Sequence, residues 1–337
     1  MSAYRIIGIE SSPYAVKVRA VMRYRHLPHV WVGRMPQFFA ETAAVRPLIM
    51  PVVQYPDGEY RTDSSPIIRD LEKLHPTSRS VIPLDPVHAY LSDLIEDMAD
   101  EWLTKCLFHY RFSSLSDRNS GASWVIDDAN PLVSTEDLAP LVTTFIERQV
   151  ARMPLVGCTP SNAPVIESFY GELLDILEPF VATDQFLFGT RPALADFGLY
   201  GQLKTLGTDP SGMKIMREQA PRAMHWVRRL DDLSGVDGEW TANPDEIPTA
   251  VGKLVELAAR YYLPFLAANA RAIDTGNTHV EVMLDGHAYT QPVYRYQAKC
   301  YDYLLRRFAG LPDNVHAGLD PLLEKTNCLQ YLDTSRV

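Results

Sequence analysis

Tyr4-Arg5-Ile6-Ile7-Gly8-Ile9-Glu10-Ser11-Ser12-Pro13-Tyr14-Ala15 is the stretch on which the fold turns. Its first half is a short run of apolar residues ended by Glu10, the pattern of a buried strand. Ser11-Ser12-Pro13 then signals a helix start, because Pro fits the first turn, where a backbone N–H has no partner to lose. Ala15, Val18, Val21 and Met22 follow at helical spacing, with Lys17, Arg19, Arg23 and Arg25 between them. A strand running straight into a helix therefore opens the chain.

Further along, His29–Val32 reads as a second strand and 36–44 as a short helix. Pro51-Val52-Val53-Gln54-Tyr55 reads as a third strand, Pro56-Asp57-Gly58 as a turn and Glu59-Tyr60-Arg61 as the returning strand. Ser64-Ser65-Pro66 opens another helix to about His75. Residues 1–76 thus spell strand–helix–strand–helix–strand–strand–helix. Pro76, Pro83 and Pro86 mark a linker. From His88 the pattern is helical, with periodicity at 134–152, 162–182, 193–206 and 219–233. Ser113–Asn130 is polar and contains Gly121, and is expected to be a loop. After Asp237 a helix is expected over 246–273, interrupted at Pro264. A hairpin turning at Asp285-Gly286 and a helix over 293–309 follow. No internal repeat or low-complexity tract is present.

The 337 residues bound the function classes. Length suggests about two domains of roughly 100–200 residues each, and 46% hydrophobic with 22% charged residues is ordinary for a globular protein. A net charge of −10 disfavours general binding to nucleic acid or to an anionic membrane surface. Cys106, Cys158, Cys300 and Cys328 include no CxxC spacing, so neither a zinc cluster nor a disulfide framework is implied. No metal is expected. The N-terminal apolar run is too short for a signal peptide, and no uninterrupted apolar stretch nears the roughly 18 residues of a membrane span. A cytoplasmic protein is expected.

Three short signals carry chemistry. Ser12-Pro13-Tyr14-Ala15 places a hydroxyl before a helix N-terminus, where free N–H groups and the helix dipole stabilise an anion such as a thiolate. A plain N-cap explains Ser12 equally well. Arg46-Pro47-Leu48-Ile49-Met50-Pro51-Val52 places a Pro at the head of a strand. A cis Met50–Pro51 bond there would turn the Met50 backbone outward, able to pair with an extended peptide, against the simpler reading of a loop entering an edge strand. Asp63-Ser64 brings a carboxylate and a hydroxyl to a second helix start, suited to holding a carboxylate ligand or to ordinary capping.

The order and spacing of these signals resemble the cytosolic glutathione transferase family. The resemblance covers 4–75 as a thioredoxin-like α/β domain and about 88–233 as an all-helical domain. Gly189-Thr190-Arg191-Pro192-Ala193-Leu194-Ala195-Asp196 resembles the family's buried capping segment, with Ala193 in place of the usual hydroxyl residue. The resemblance implies three units: 1–76 binding glutathione, 88–236 all helical, and 237–337 an atypical C-terminal extension packed on the helices. It implies that Met50 bonds the cysteinyl part of glutathione, with Pro51 and Pro13 beside it. Ser64 and the N–H groups of its helix would hold the γ-glutamyl carboxylate and Asp63 its ammonium. The glycine carboxylate has no placed partner; Gln37 is a candidate. The tetrad also resembles the glutaredoxin and omega-class site, but with Ser12 and Ala15 where cysteines stand. Disulfide exchange is therefore disfavoured, leaving activation of the glutathione thiol itself.

Ser12 is the expected activator, with Ser11 and Tyr14 as alternatives. The thiolate would attack an electrophilic, apolar or aromatic second substrate bound near Tyr14, Trp102, His109 and Tyr110, although core packing explains those aromatics as well. Glutathione-dependent isomerisation or ether cleavage, and a catalytically inactive binding module, remain as alternatives. The resemblance also implies a homodimer and a role in detoxification. The extension is rich in aromatics, with Tyr294, Gln297, Tyr301 and Leu304 on one helical face. It is expected to pack on the helical domain, to close the substrate pocket as a lid, or both.

Overall fold

A computed structural model describes residues 3–33, 37–77, 79–241, 243 and 246–333. Its amino-terminal part runs β1 (Tyr4–Gly8), α1 (Pro13–Tyr24), β2 (His29–Gly33), α2 (Gln37–Glu41), β3 (Val52–Gln54), β4 (Tyr60–Thr62) and α3 (Ser64–Leu74). The sheet order is β2-β1-β3-β4, with β1 parallel to β2 and antiparallel to β3, and β3 antiparallel to β4. This mixed sheet with helices is the thioredoxin-like arrangement expected. Gly58 turns β3 into β4 at φ +92°, a conformation that side chains rarely adopt.

A helical region follows, opening with α4 (Pro86–Met98), a π-helical turn at Ala99–Leu103 and α5 (Thr104–Phe112). Next come α6 (Leu115–Ala129), α7 (Thr135–Arg152), α8 (Ala163–Thr183), α9 (Leu194–Leu206), α10 (Pro210–Gln219) and α11 (Pro221–Arg229). Two expectations need correction. The loop expected over 113–130 is the helix α6. It buries only Asp117, Gly121 and Ala122, so it shows no apolar stripe, and polar bonds hold it: a Ser114 cap, and Asp117 accepting from Ser211 at 2.7 Å. The helix expected over 219–233 is the shorter α11, and α10 precedes it where no helix was expected; each is opened by a proline.

Asp196 makes the expected cap. Its carboxylate accepts from the Ala193 N–H at 2.8 Å and the Leu187 N–H at 3.0 Å. Ala193 returns no side-chain bond, so half of a capping box is present. Burial pushes the Asp196 carboxyl up to about 7 against those two donors.

The C-terminal segment comprises α12 (Thr249–Leu257), a second π-helical turn at Ala258–Tyr262, α13 (Leu263–Asp274), the hairpin β5 (His279–Leu284) and β6 (His287–Pro292), α14 (Arg295–Ala309), α15 (Asp313–Lys325) and α16 (Leu329–Leu332). Asp285 and Gly286 turn the hairpin with positive φ at both positions. The segment packs on the helices before it. Trp102 is fully buried beside Phe169, Phe265 and Tyr289, at ring distances of 6.1, 5.4 and 5.5 Å. Tyr90 meets Phe308 at 5.6 Å, and Lys105 donates to Gln291 Oε1 at 2.8 Å. The stripe that α14 buries is Gln297, Tyr301, Leu304 and Phe308; Tyr294 precedes the helix and is exposed.

Candidate functional site

Sheet register gathers the three sequence signals. Ile7 of β1 lies opposite Val52 of β3, and Val52 opposite Thr62 of β4. The chain therefore leaves one end of the sheet at Gly8, arrives there at Pro51 and leaves again at Asp63. Ser12 and Pro13, Met50 and Pro51, and Asp63 and Ser64 share that end. The N-termini of α1 and α3 begin there, each with first-turn N–H groups that have no intrahelical partner. The Met50–Pro51 peptide is cis, as is Arg46–Pro47.

The hydroxyls at the start of α1 have different commitments. Ser11 donates from both its N–H and its Oγ to Asp128 of α6, at 3.0 and 3.2 Å. Tyr14 donates to the Asp100 carbonyl at 2.9 Å and lies 3.3 Å from Thr104 Oγ1, with burial holding its phenol well above the usual range. Ser12 Oγ accepts the Ala15 N–H at 3.4 Å, a weak cap. Among the described residues its own proton has no acceptor. Arg111 Nη1 reaches the Ser11 carbonyl at 3.3 Å while Nε pairs with Asp209 at 2.7 Å.

Beneath α3 lies a buried ionic cluster. Lys17 is fully buried and donates to Glu96, to Asp100 at 2.6 Å and to Ser65 at 3.2 Å, with Ser64 Oγ at 3.5 Å. Burial works against the Lys17 ammonium, but Asp100 and Glu96 outweigh it and raise its pKa. Burial likewise opposes ionised Glu96, yet Lys17 and Arg69 hold its pKa below the ordinary value. Ser64 is buried and donates to Asp100 Oδ2 at 3.4 Å, so its hydroxyl serves this cluster rather than pointing outward. The buried ammonium captures it. Asp63 stands before α3 at φ +77°, makes no side-chain cap bond and accepts the Tyr296 hydroxyl on Oδ2 at 2.6 Å. The end of α4 and the π turn add further acids: burial pushes Asp97 up to about 7 and Glu101 up to about 8.

The aromatic candidates for a second substrate do not gather around Ser12. Trp102 is core, as described. His109 faces α8, with Nε2 2.8 Å from Glu167 and Nδ1 3.0 Å from Ser113 Oγ. The Tyr110 ring lies 5.0 Å from His109 and 5.3 Å from Tyr170. The physical reason is helix phase. Thr104 meets Tyr14, and the next turn of α5 carries its aromatics round to α8. The Gln37 side chain falls outside the described residues. Among the described residues there is no group of three or more metal-ligating side chains, and no helix is long and apolar enough to cross a membrane.

Residues 6–79 match the family model of the glutathione S-transferase N-terminal domain. The amino-terminal domain belongs to that family. Solved glutathione S-transferases resemble the chain more widely. One from Methylobacterium radiotolerans, in complex with glutathione sulfonate, is 22% identical over 72% of this chain and 98% of its own, with a TM-score of 0.45. The β-etherase LigF of Sphingobium sp. strain SYK-6 is 18% identical over 76% and 99%, at 0.48. A Tau class glutathione S-transferase of mango is 15% identical over 76% and 97%, at 0.43. No curated protein matches the chain significantly. Against this glutathione S-transferase domain, sequence reasoning missed Lys17, Asp128 and Tyr296. Lys17 carried a signal: it stands one turn past Pro13, on the face that the buried residues of α1 share.

Proposed function

We propose that the chain is a glutathione-dependent enzyme that activates the glutathione thiol near Ser12 for attack on an electrophilic, apolar or aromatic second substrate. The observation that carries this reading is the single sheet end at which Ser12, the cis Met50–Pro51 peptide and Asp63 meet, inside a domain of the transferase family. An extended γ-glutamyl peptide would run along it. The Met50 backbone would pair with the cysteinyl part, Pro13 and Pro51 would flank it, and Asp63 would hold the ammonium. The first-turn N–H groups of α3 would hold the γ-glutamyl carboxylate, since the Ser64 hydroxyl is turned inward. Of the three candidate activators, Ser12 keeps an uncommitted proton to donate to a thiolate; Ser11 and Tyr14 spend theirs on Asp128 and the Asp100 carbonyl. A hydrogen bond to the anion, together with the α1 N-terminus, favours thiolate over thiol. A homodimer belongs to the same proposal.

Ser12→Ala tests it. A hydrogen bond to a charged group is worth about 1.5–3 kcal/mol. Turnover at neutral pH is expected to fall about 10- to 100-fold, with glutathione affinity by calorimetry nearly unchanged. Full turnover in the variant removes Ser12 from the chemistry. No binding of glutathione to the folded protein ends the reading. One observation favours a second reading, a glutathione-binding module without turnover. Ser11 and Ser12 are buried, with the Asp128 carboxylate against Ser11. Binding with no turnover of any electrophile in a panel would support it.

A further inference from the structure

Asp63 has a partner that its own domain does not supply. At φ +77° it occupies a conformation that non-glycine residues hold only when surroundings fix it. It makes no cap bond to α3, so its carboxylate is free for other work. That carboxylate accepts a hydrogen bond at 2.6 Å from Tyr296, in the first turn of α14.

Tyr296 is held in place by the rest of its helix. The next residue, Gln297, is buried and donates to the Glu101 carbonyl at 3.0 Å. Tyr301 donates to the Tyr331 carbonyl at 2.5 Å, and Leu304 and Phe308 are buried. On the side facing α3 and α4, Arg69 lies 4.5 Å over the Tyr303 ring and Arg307 pairs with Asp93 at 3.1 Å. The helix is a fixed wall, and its first turn fixes Asp63.

We propose that Tyr296 is a positioning residue for recognition of the γ-glutamyl ammonium, acting through Asp63. The inference rests on the glutathione reading given above. A carboxylate offers about four lone-pair sites. The phenol takes one on Oδ2, which sets the plane of the group and leaves Oδ1 to receive an ammonium. Burial and the Asp63 charge both keep the phenol protonated, so it remains a donor. The C-terminal segment is thereby part of the binding site: it orders the acid that distinguishes a γ-glutamyl peptide from one lacking the amine.

The test uses the full chain and two probes, reduced glutathione and its des-amino analogue, glutaryl-Cys-Gly. Both are titrated calorimetrically into the wild type and Tyr296→Phe, with thermal melts confirming that the variant is folded. The expected result is about tenfold weaker glutathione binding in the variant, ~1.4 kcal/mol, with the analogue unchanged within about twofold. Equal losses for both probes would overturn the proposal, since the ring would then act only as packing. So would no loss for either, or wild-type affinity that ignores the amine. Tighter glutathione binding in the variant would also overturn it, because the hydroxyl would then be a competitor. A wild type that binds neither probe removes the glutathione reading itself, and with it the proposal. Each of the other outcomes leaves that reading standing.

Discussion

Lys17→Met isolates the energetics of the cluster beneath α3. The substitution removes an ammonium with no exposed side chain, and leaves Glu96 and Asp100 facing each other with their cation gone. Breaking a buried pair by removing one partner costs about 3–5 kcal/mol. With a urea slope of about 3 kcal/mol/M, the unfolding midpoint falls by about 1–2 M at pH 8. The pH dependence follows from the signs. In the wild type the depressed Glu96 adds stability above its unfolded value, and that stability is lost as pH falls through the folded one. Without Lys17, Arg69 still opposes burial at Glu96, but both folded values rise, that of Asp100 from about 6, to which burial already pushes it. The variant then binds more protons folded than unfolded over the intervening range, so its stability falls as pH rises. The gap between wild type and variant must therefore narrow from pH 8 to pH 5. A loss below about 1 kcal/mol at pH 8, or one equal at both pH values, would refute the reasoning.

Two other substitutions read how the domains are joined. A Cβ at Gly201 of α9 would stand 2.6 Å from the Pro13 carbonyl oxygen and 3.2 Å from Lys17 Cβ. In Gly201→Ala overpacking of about 1–3 kcal/mol outweighs about 1 kcal/mol of helix propensity, so the melting temperature falls; a rise would show that α9 and α1 part without cost. Arg79 donates to the carbonyls of Tyr24, Leu233, Ser234 and Val236 and pairs with Asp237 at 2.5 Å. Arg79→Ala should speed tryptic cleavage after Arg228 and Arg229 several-fold, and unchanged digestion would mean that the 230–237 segment is held by other contacts.

The amino-terminal domain was readable because its signals are local. An apolar run, Ser-Pro at two helix starts and a Pro-Asp-Gly turn each act within a few residues. Asp196 was readable for the same reason, as its acceptors' partners lie within nine positions. The α6 helix was not. Apolar periodicity cannot report a helix whose buried residues are Asp117, Gly121 and Ala122, tied down by Ser211 and Ser11. The periodicity over 219–233 covers α11, whereas α10 buries only Gly212 and Met216 and so offers no apolar stripe to read. Trp102 was legible as an aromatic on a helix, with core and pocket both open, because the rings that cover it arrive from Phe265 and Tyr289. The Tyr296–Asp63 bond spans 233 positions, beyond any spacing rule. The Ser64 hydroxyl turned inward for a reason equally invisible locally: the cation that captures it belongs to another helix.

The cover that Phe265, Tyr289 and Phe308 lay over Trp102 and Tyr90 also has a cost in time. At about 5–20 residues per second, the segment Thr249–Asp333 takes roughly 4–17 s to leave the ribosome. Throughout that interval α4 and its π turn carry Tyr90, Trp102, Asp97 and Glu101 without their lids. The nascent chain must hold a half-closed core until these helices emerge, so a ribosome stalled within this segment would release an open, acid-lined groove rather than a smaller closed fold.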